Sequence, residues 1–258
     1  MPDIKYATYK LCQTSFLRTL YEGVSKSKIA EFMRKGGFHP SSKEKTTQGI
    51  VRWEDSHFYL EAPYKTFYKA QNYGIENRIC RLGRLAIRDG GLAIDVGANY
   101  GFVTMALGKN AHRSTRVVSF EIDPHVCYTL RQTIEKNDLS KVVTLISKGA
   151  GSRNADGLVT VDSIVNSLEL ENIRFIKIDV DGGDFQVLQG ASDTLRRFHP
   201  VVVIEMTESH QEIYDYLIEA GYKHFIDQSN NPVISNEWPA NLIASVEEIF
   251  IPAKSPPK

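Results

Sequence analysis

A chain of 258 residues with 42% hydrophobic content is long enough for one large α/β domain with a full core and too short for two equal domains. Its 31 basic residues balance 31 acidic ones, so no global positive field draws it onto phosphate backbones or anionic lipid, and no nucleic-acid partner is expected. Cys12, Cys80 and Cys127 show no paired spacing, which excludes a disulfide framework and a thiolate zinc site and suits a reducing compartment.

Met1 to Leu11 carries Asp3, Lys5 and Lys10 and no apolar block of signal-peptide length. No later stretch approaches the roughly 20 apolar residues of a membrane span, so a cytoplasmic protein without stable membrane insertion is expected. Residues 1–72 read as an N-terminal helical and strand extension, a lid or a substrate region, and they start with a basic excess. Two short helices fit at 14–21 and after the cap Ser25 or Ser27 through Met33, where Gly36-Gly37 ends the second. Pro40 to Gln48 reads as a loop and Ile50 to Leu60 as one strand or a hairpin arm.

From Tyr73 the pattern becomes regular, and 73–252 reads as the main domain, with 253–258 as a tail. A helix carrying Ile75, Ile79, Leu82 and Leu85 stops at Asp89-Gly90-Gly91. Continuous apolar runs at 92–96, 116–120, 142–146, 173–178 and 201–204 suit parallel strands buried on both faces. Helices fit at 124–136, at 184–197 and near 209–220. Tyr222 to Ile226 reads as the next strand, and Glu248 to Ile251 as the final, antiparallel one.

The first strand ends in Ile94-Asp95-Val96-Gly97-Ala98-Asn99-Tyr100-Gly101 and opens a helix through Val103, Met105 and Leu107. Ligands of open α/β sheets sit at such carboxyl ends, and Gly97 admits close backbone approach. The helix start offers free N–H groups to a carboxylate such as that of a methionine moiety. The next strand ends in Phe120-Glu121-Ile122-Asp123-Pro124, where Glu121 can accept both hydroxyls of a ribose, while Asp123 and Pro124 suit an N-cap and first helical position. A dinucleotide fingerprint, G-x-G-x-x-G, is absent here, which favours a methyl donor. Further along, Ile173 to Gly190 reads IRFIKIDVDGGDFQVLQG: Lys177, flanked by carboxylates, is expected at a wet strand end, with Asp179 and Asp181 beside it.

Together IDVGANYG, FEIDP, Thr160-Val161-Asp162-Ser163, IKIDVDGGDFQVLQGA and HPVVVIEM resemble the FkbM-like family of S-adenosylmethionine-dependent methyltransferases over about residues 75–206. The resemblance implies an α/β, class I methyltransferase Rossmann-like fold: a seven-stranded, mostly parallel sheet with an antiparallel final strand and helices on both faces. It also implies O-methylation of a hydroxyl, commonly on a sugar of a glycan, glycolipid or natural product. The family pattern D-x-E-G-x-E is replaced here by shorter carboxylates at Asp181 and Asp184, and Gly151 to Val159 is short beside the family.

The S-adenosylmethionine site is accordingly expected at Asp95, Gly97, Ala98, Asn99, Tyr100, Gly101, Glu121, Ile122, Ser147, Ala150 and Asp179. Adenine would fall to Ser147 or backbone groups, because Ser147-Lys148-Gly149-Ala150 lacks an acid. Asp179, Lys177, Glu205 and His210 are the expected catalytic groups, as base, charge stabiliser or salt bridge. Asp179 and Glu205 would also hold Mg²⁺ or Mn²⁺ if one is used. His57, among Trp53, Phe58 and Tyr59, suits either a sugar face or an ordinary half-buried strand. The alternatives are a phenol or amine methyltransferase and, from a different class, a nucleotide-binding oxidoreductase or inactive adaptor. A D/N-P-P-Y/F motif is missing at Asp179-Val180-Asp181-Gly182, which argues against methylation of DNA amino groups.

Overall fold

The computed structural model describes residues 45–109, 111–234 and 237–253, so the helices expected at 14–21 and 25–33 lie outside the described residues. The described chain opens with an antiparallel hairpin, β1 (Thr46–Trp53) and β2 (Ser56–Pro63), rather than the loop expected up to Gln48. Alternation decides its placement. Val51, Trp53, Phe58, Leu60 and Ala62 are buried, while Ile50 and Arg52 face out. Asn137 clamps the hairpin by accepting from Tyr59 N and donating to Tyr59 O, both at 2.8 Å. Arg84 holds its turn, bonding Asp55 at 2.8 Å and stacking over Trp53 at 4.7 Å.

Helices α1 (Tyr64–Tyr73) and α2 (Asn77–Ala86) follow. Alternating elements come next: β3 (Gly91–Val96), α3 (Phe102–Gly108), β4 (Thr115–Phe120), α4 (Pro124–Lys136), β5 (Val143–Ile146), the short pair β6 (Gly149–Ala150) and β7 (Leu158–Val159), and α5 (Val161–Ser167). The rest are β8 (Ile173–Ile178), α6 (Asp184–Gln189), α7 (Ser192–Phe198), β9 (Val201–Glu205), α8 (His210–Glu219), β10 (His224–Ile226) and β11 (Asn241–Ser245). Seven strands form one sheet in the order β10-β11-β9-β8-β3-β4-β5. Its core strands are parallel and β11 runs antiparallel to both neighbours. This is the α/β class expected, with helices packed on both faces. On β8, Phe175 joins the apolar cluster under α2, α3 and the hairpin, and Ile176 joins the one under α5 to α8.

Two expected elements are corrected. The final strand is Asn241–Ser245, not 248–251. At 248–251 the backbone of Ile251 is satisfied by one side chain, accepting from Asn230 Nδ2 at 3.1 Å and donating to Asn230 Oδ1 at 2.7 Å. The single helix expected over 184–197 is two, broken at Gly190. A Cβ there would stand 2.0 Å from Gly151 O, and the Gly190 carbonyl accepts from Asp162 N at 2.9 Å instead of continuing the helix.

Candidate functional site

The chain leaves β3 for β4 and β5 on one side and returns to β8 on the other, so the strand order reverses between β3 and β8. That reversal opens a crevice at the carboxyl ends of these strands. Parallel register sets what meets there: Asp95 pairs with Ser119 on one side and with Lys177 on the other. Asp95 is fully buried; its Oδ2 accepts from Thr104 Oγ1 at 2.6 Å, and that hydroxyl lies 2.8 Å from Ser119 Oγ. Asp95 Oδ1 makes no hydrogen bond and faces Lys177 Nζ at 3.8 Å.

Lys177 is buried, not at a wet strand end, although Asp181 is exposed. Its ammonium donates to Asp179 Oδ2 at 3.0 Å and lies 3.7 Å from Glu76 Oε2. Burial alone favours a neutral amine, but Glu76, Asp95 and Asp179 outweigh it and hold Lys177 protonated. One ammonium does not neutralise three carboxylates equally. Burial still pushes Asp95 and Glu76 above the usual carboxylate range against the pull of Lys177. Asp179 also suffers burial, yet its direct bond to Lys177 brings it below that range.

Beyond the strand ends, Asp179, Asp181 and Glu205 each bring a carboxylate oxygen within 4.8 Å of the others. Burial, followed by the charge of Asp179, pushes Glu205 up to about 8. Like charges this close favour one proton shared across the pair. Asp184 is wholly buried and staples two loops, accepting from Val180 N at 3.1 Å and Thr207 Oγ1 at 3.0 Å. Glu208 likewise accepts from Gly183 N at 3.1 Å.

The glycine turn is tied to this cluster by backbone. Gly97 has φ +78°, and a Cβ there would stand 1.7 Å from Asp179 O; Asp179 N donates to Val96 O at 3.1 Å. Its close approach is thus to β8 and not to empty space. Asn99, at φ +52°, turns its Oδ1 to Tyr100 N at 2.9 Å. Glu121 accepts from the backbone N–H groups of Asn99, Ile122 and Asp123 at 2.8, 2.8 and 2.9 Å, which occupies most of the carboxylate expected to take ribose. Asp123 caps α4 as its sequence suggests, accepting from His125 N and Val126 N.

On the far side of Ile122, Ser147 Oγ accepts from Arg131 at 3.3 Å, and Ala150 lies in the short β6–β7 pair. His210 directs Nε2 to Met206 O at 3.0 Å, and its ring lies 6.0 Å from that of Trp238. Glu76, Thr104 and Ser119 were not foreseen in the sequence. Glu76 stands in a left-handed conformation (φ 48°) between α1 and α2, and no strand period announces it.

Residues 127–224 match the family model described as "Methyltransferase FkbM domain". Over that span the chain resembles the FkbM methyltransferase family. The matched span holds Lys177, Asp179, Glu205 and His210 and begins after the glycine turn and Glu121. No curated protein sequence matches the chain. Among solved structures it is similar to Methyltransferase FkbM from Methylobacillus flagellatus KT, at 20% identity over 60% of this chain, with a TM-score of 0.45; the match spans 44% of that longer chain. It is also similar to precorrin-6y C5,15-methyltransferase from Geobacter metallireducens GS-15, at 16% identity over 66% of this chain and 85% of that one (TM-score 0.43). A third is the O-methyltransferase from Bacillus cereus in complex with SAH, at 13% identity over 70% of this chain and 86% of that one (TM-score 0.42).

Proposed function

We propose that this FkbM-like chain is a methyltransferase that takes a methyl group from S-adenosylmethionine and delivers it to a hydroxyl oxygen of a sugar, in a glycan, glycolipid or natural product. The observation that carries the reading is the junction of Gly97 with Asp179, which joins the glycine turn to the carboxylate cluster at the reversal of strand order. The surplus of Glu76, Asp95 and Asp179 over Lys177 gives this crevice a negative potential, which suits a sulfonium donor better than an anionic dinucleotide. Glu121 would turn its acceptor oxygens from backbone amides to ribose, and Ser147 and Ala150 would border adenine.

Methyl transfer needs the acceptor oxygen in line with the sulfonium methyl at about 3 Å, and alignment alone lowers the barrier by several kcal/mol. Asp179, kept anionic by Lys177, would accept a hydrogen bond from the acceptor hydroxyl and orient its lone pair. Glu205 would receive the proton once the shared proton of the pair has left. With Nε2 engaged by Met206, His210 would act only through Nδ1. A divalent cation is a second reading of the same carboxylates. Asp179, Asp181 and Glu205 offer hard oxygens at short range, and a cation would relieve the repulsion that adds to burial in raising Glu205. Such an ion would lower the pKa of a coordinated hydroxyl.

The test is transfer of labelled methyl from S-adenosylmethionine into fractionated glycans and lipids, alongside thermal shifts with S-adenosylhomocysteine and with NAD. Stabilisation by S-adenosylhomocysteine and none by NAD is expected; the reverse would overturn the reading in favour of an oxidoreductase. Turnover that survives EDTA removes the cation.

A further inference from the structure

The short joint between α1 and α2 holds a carboxylate that neither helix uses. Gly74 turns at φ +72°, and a Cβ there would stand 2.0 Å from Asn77 Oδ1. Asn77 fills that space, accepting from Trp53 Nε1 at 2.8 Å and donating to Tyr73 O at 2.7 Å, which locks the joint to the hairpin. Glu76 stands in the left-handed region at φ 48°, a conformation that persists in a long side chain only where the surroundings impose it. It occupies the N-cap of α2 without capping that helix, and its carboxylate turns to the strand ends, 3.7 Å from Lys177 Nζ. That separation is too long for a hydrogen bond, and Lys177 already donates to Asp179 at 3.0 Å. Glu76 Oε2 is therefore buried with no hydrogen-bond partner, as is Asp95 Oδ1, 3.8 Å from the same ammonium. Asp95 is sealed from solvent, whereas the Glu76 side chain is 27% exposed and so borders the crevice.

We propose that Glu76 receives the α-ammonium of the methyl donor's methionine moiety and thereby sets the preference of the site for a sulfur nucleoside that carries an amino acid. The proposal rests on the methyl-transfer reading above and adds a donor contact from outside the sheet. Three features support it. The strand ends lie in the order β5-β4-β3-β8, with Ser147 after β5, Glu121 after β4, the glycine turn after β3, and Lys177 with Glu76 at β8. A donor with its adenine at Ser147 and its ribose at Glu121 would thus bring its methionine end to β3 and Glu76. An orphaned carboxylate oxygen needs an N–H donor, and an ammonium supplies three where a sulfonium supplies none. Three carboxylates also face one lysine, and Lys177 cannot close on Glu76 without leaving Asp179, so the cluster is short of a cation on the Glu76 side.

The whole protein is titrated by calorimetry with S-adenosylhomocysteine and with its deamino analogue, the same thioether carrying hydrogen in place of the ammonium. The wild type is expected to bind the deamino compound at least about tenfold more weakly. In Glu76→Gln, which keeps the shape and removes the charge, that ratio is expected to shrink several-fold, because only the ligand with an ammonium loses a partner. A Glu76 that served merely as counter-ion to Lys177 would weaken both ligands alike; an unchanged ratio therefore overturns the proposal. Equal affinity of the two compounds for the wild type overturns it as well, and that comparison stands even where the variant does not fold. Either result, in a protein that still binds S-adenosylhomocysteine, removes the role of Glu76 and leaves methyl transfer standing. A wild type that binds neither compound overturns both readings together.

Discussion

Gly97→Ala tests whether the turn and the carboxylate cluster are one rigid unit. The new Cβ would stand 1.7 Å from Asp179 O, where real contacts stay beyond 3.0 Å, so β8 must retreat by about 1.3 Å (3.0 minus 1.7) or the turn must leave its φ of +78°. A non-glycine residue in that region costs about 1–2 kcal/mol. Weakening the Asp179 N to Val96 O bond adds about 1 kcal/mol, and overpacking against a backbone that cannot rotate away adds about 1–3 kcal/mol. A loss of about 3–6 kcal/mol is expected by urea denaturation, a large part of the stability of a typical domain. Gly101→Ala is the control, since it shares positive φ (+87°) but its Cβ meets only the Leu130 side chain. It should lose less, by at least about 1 kcal/mol. Equal losses, or a larger one at Gly101, would refute the claim that the turn is packed against Asp179.

Lys177→Met should destabilise by about 3–5 kcal/mol near neutral pH, because Asp95, Glu76 and Asp179 lose their shared cation. Asp95 and Glu76, already above their unfolded values, would then lie further above them, and Asp179 would lose the charge that holds it down, so the loss should shrink as pH falls and the carboxylates protonate; denaturation across acid and neutral pH reads this directly. Glu205, raised from 4.5 to about 8, holds a proton in the folded state that the unfolded chain has released. Stability should therefore fall as pH rises through that window, and Glu205→Gln should flatten the fall in Tm. Asp184→Ala strands Val180 N and Thr207 Oγ1 and should lose about 2–4 kcal/mol in the same assay. Glu121→Ala should abolish the thermal shift from S-adenosylhomocysteine, while Asp179→Ala should retain it and lose turnover; matching losses in both would mean the proposed roles are misassigned.

Much of the sheet was legible because parallel strands buried on both faces write continuous apolar runs: 92–96, 116–120 and 173–178 fall within one residue of β3, β4 and β8. The last strand was not. Leu242 to Ala244 and Ile249 to Ile251 are equally apolar, and only the tertiary fact that Asn230 satisfies Ile251 separates them. The break at Gly190 was hidden for the same reason, since the obstacle is Gly151, far away in sequence. Asp95, Lys177, Asp179 and Glu205 announced themselves as charges at or beside strand ends, and register brought Asp95 to Lys177 as parallel pairing requires. Glu76 did not announce itself, because its place depends on how two helices outside the sheet are joined.

The antiparallel insertion of β11 has a consequence for synthesis. On their outer flank Glu205 and Met206 pair with residues 241 and 240, and among the described residues β10 pairs with no strand except β11. On the ribosome, where chains emerge from the N-terminus, every strand bearing a carboxylate of the cluster is made well before the strand that seals its edge. The nascent chain therefore carries an open β9 flank, beside Glu205, until Asn241–Ser245 emerges.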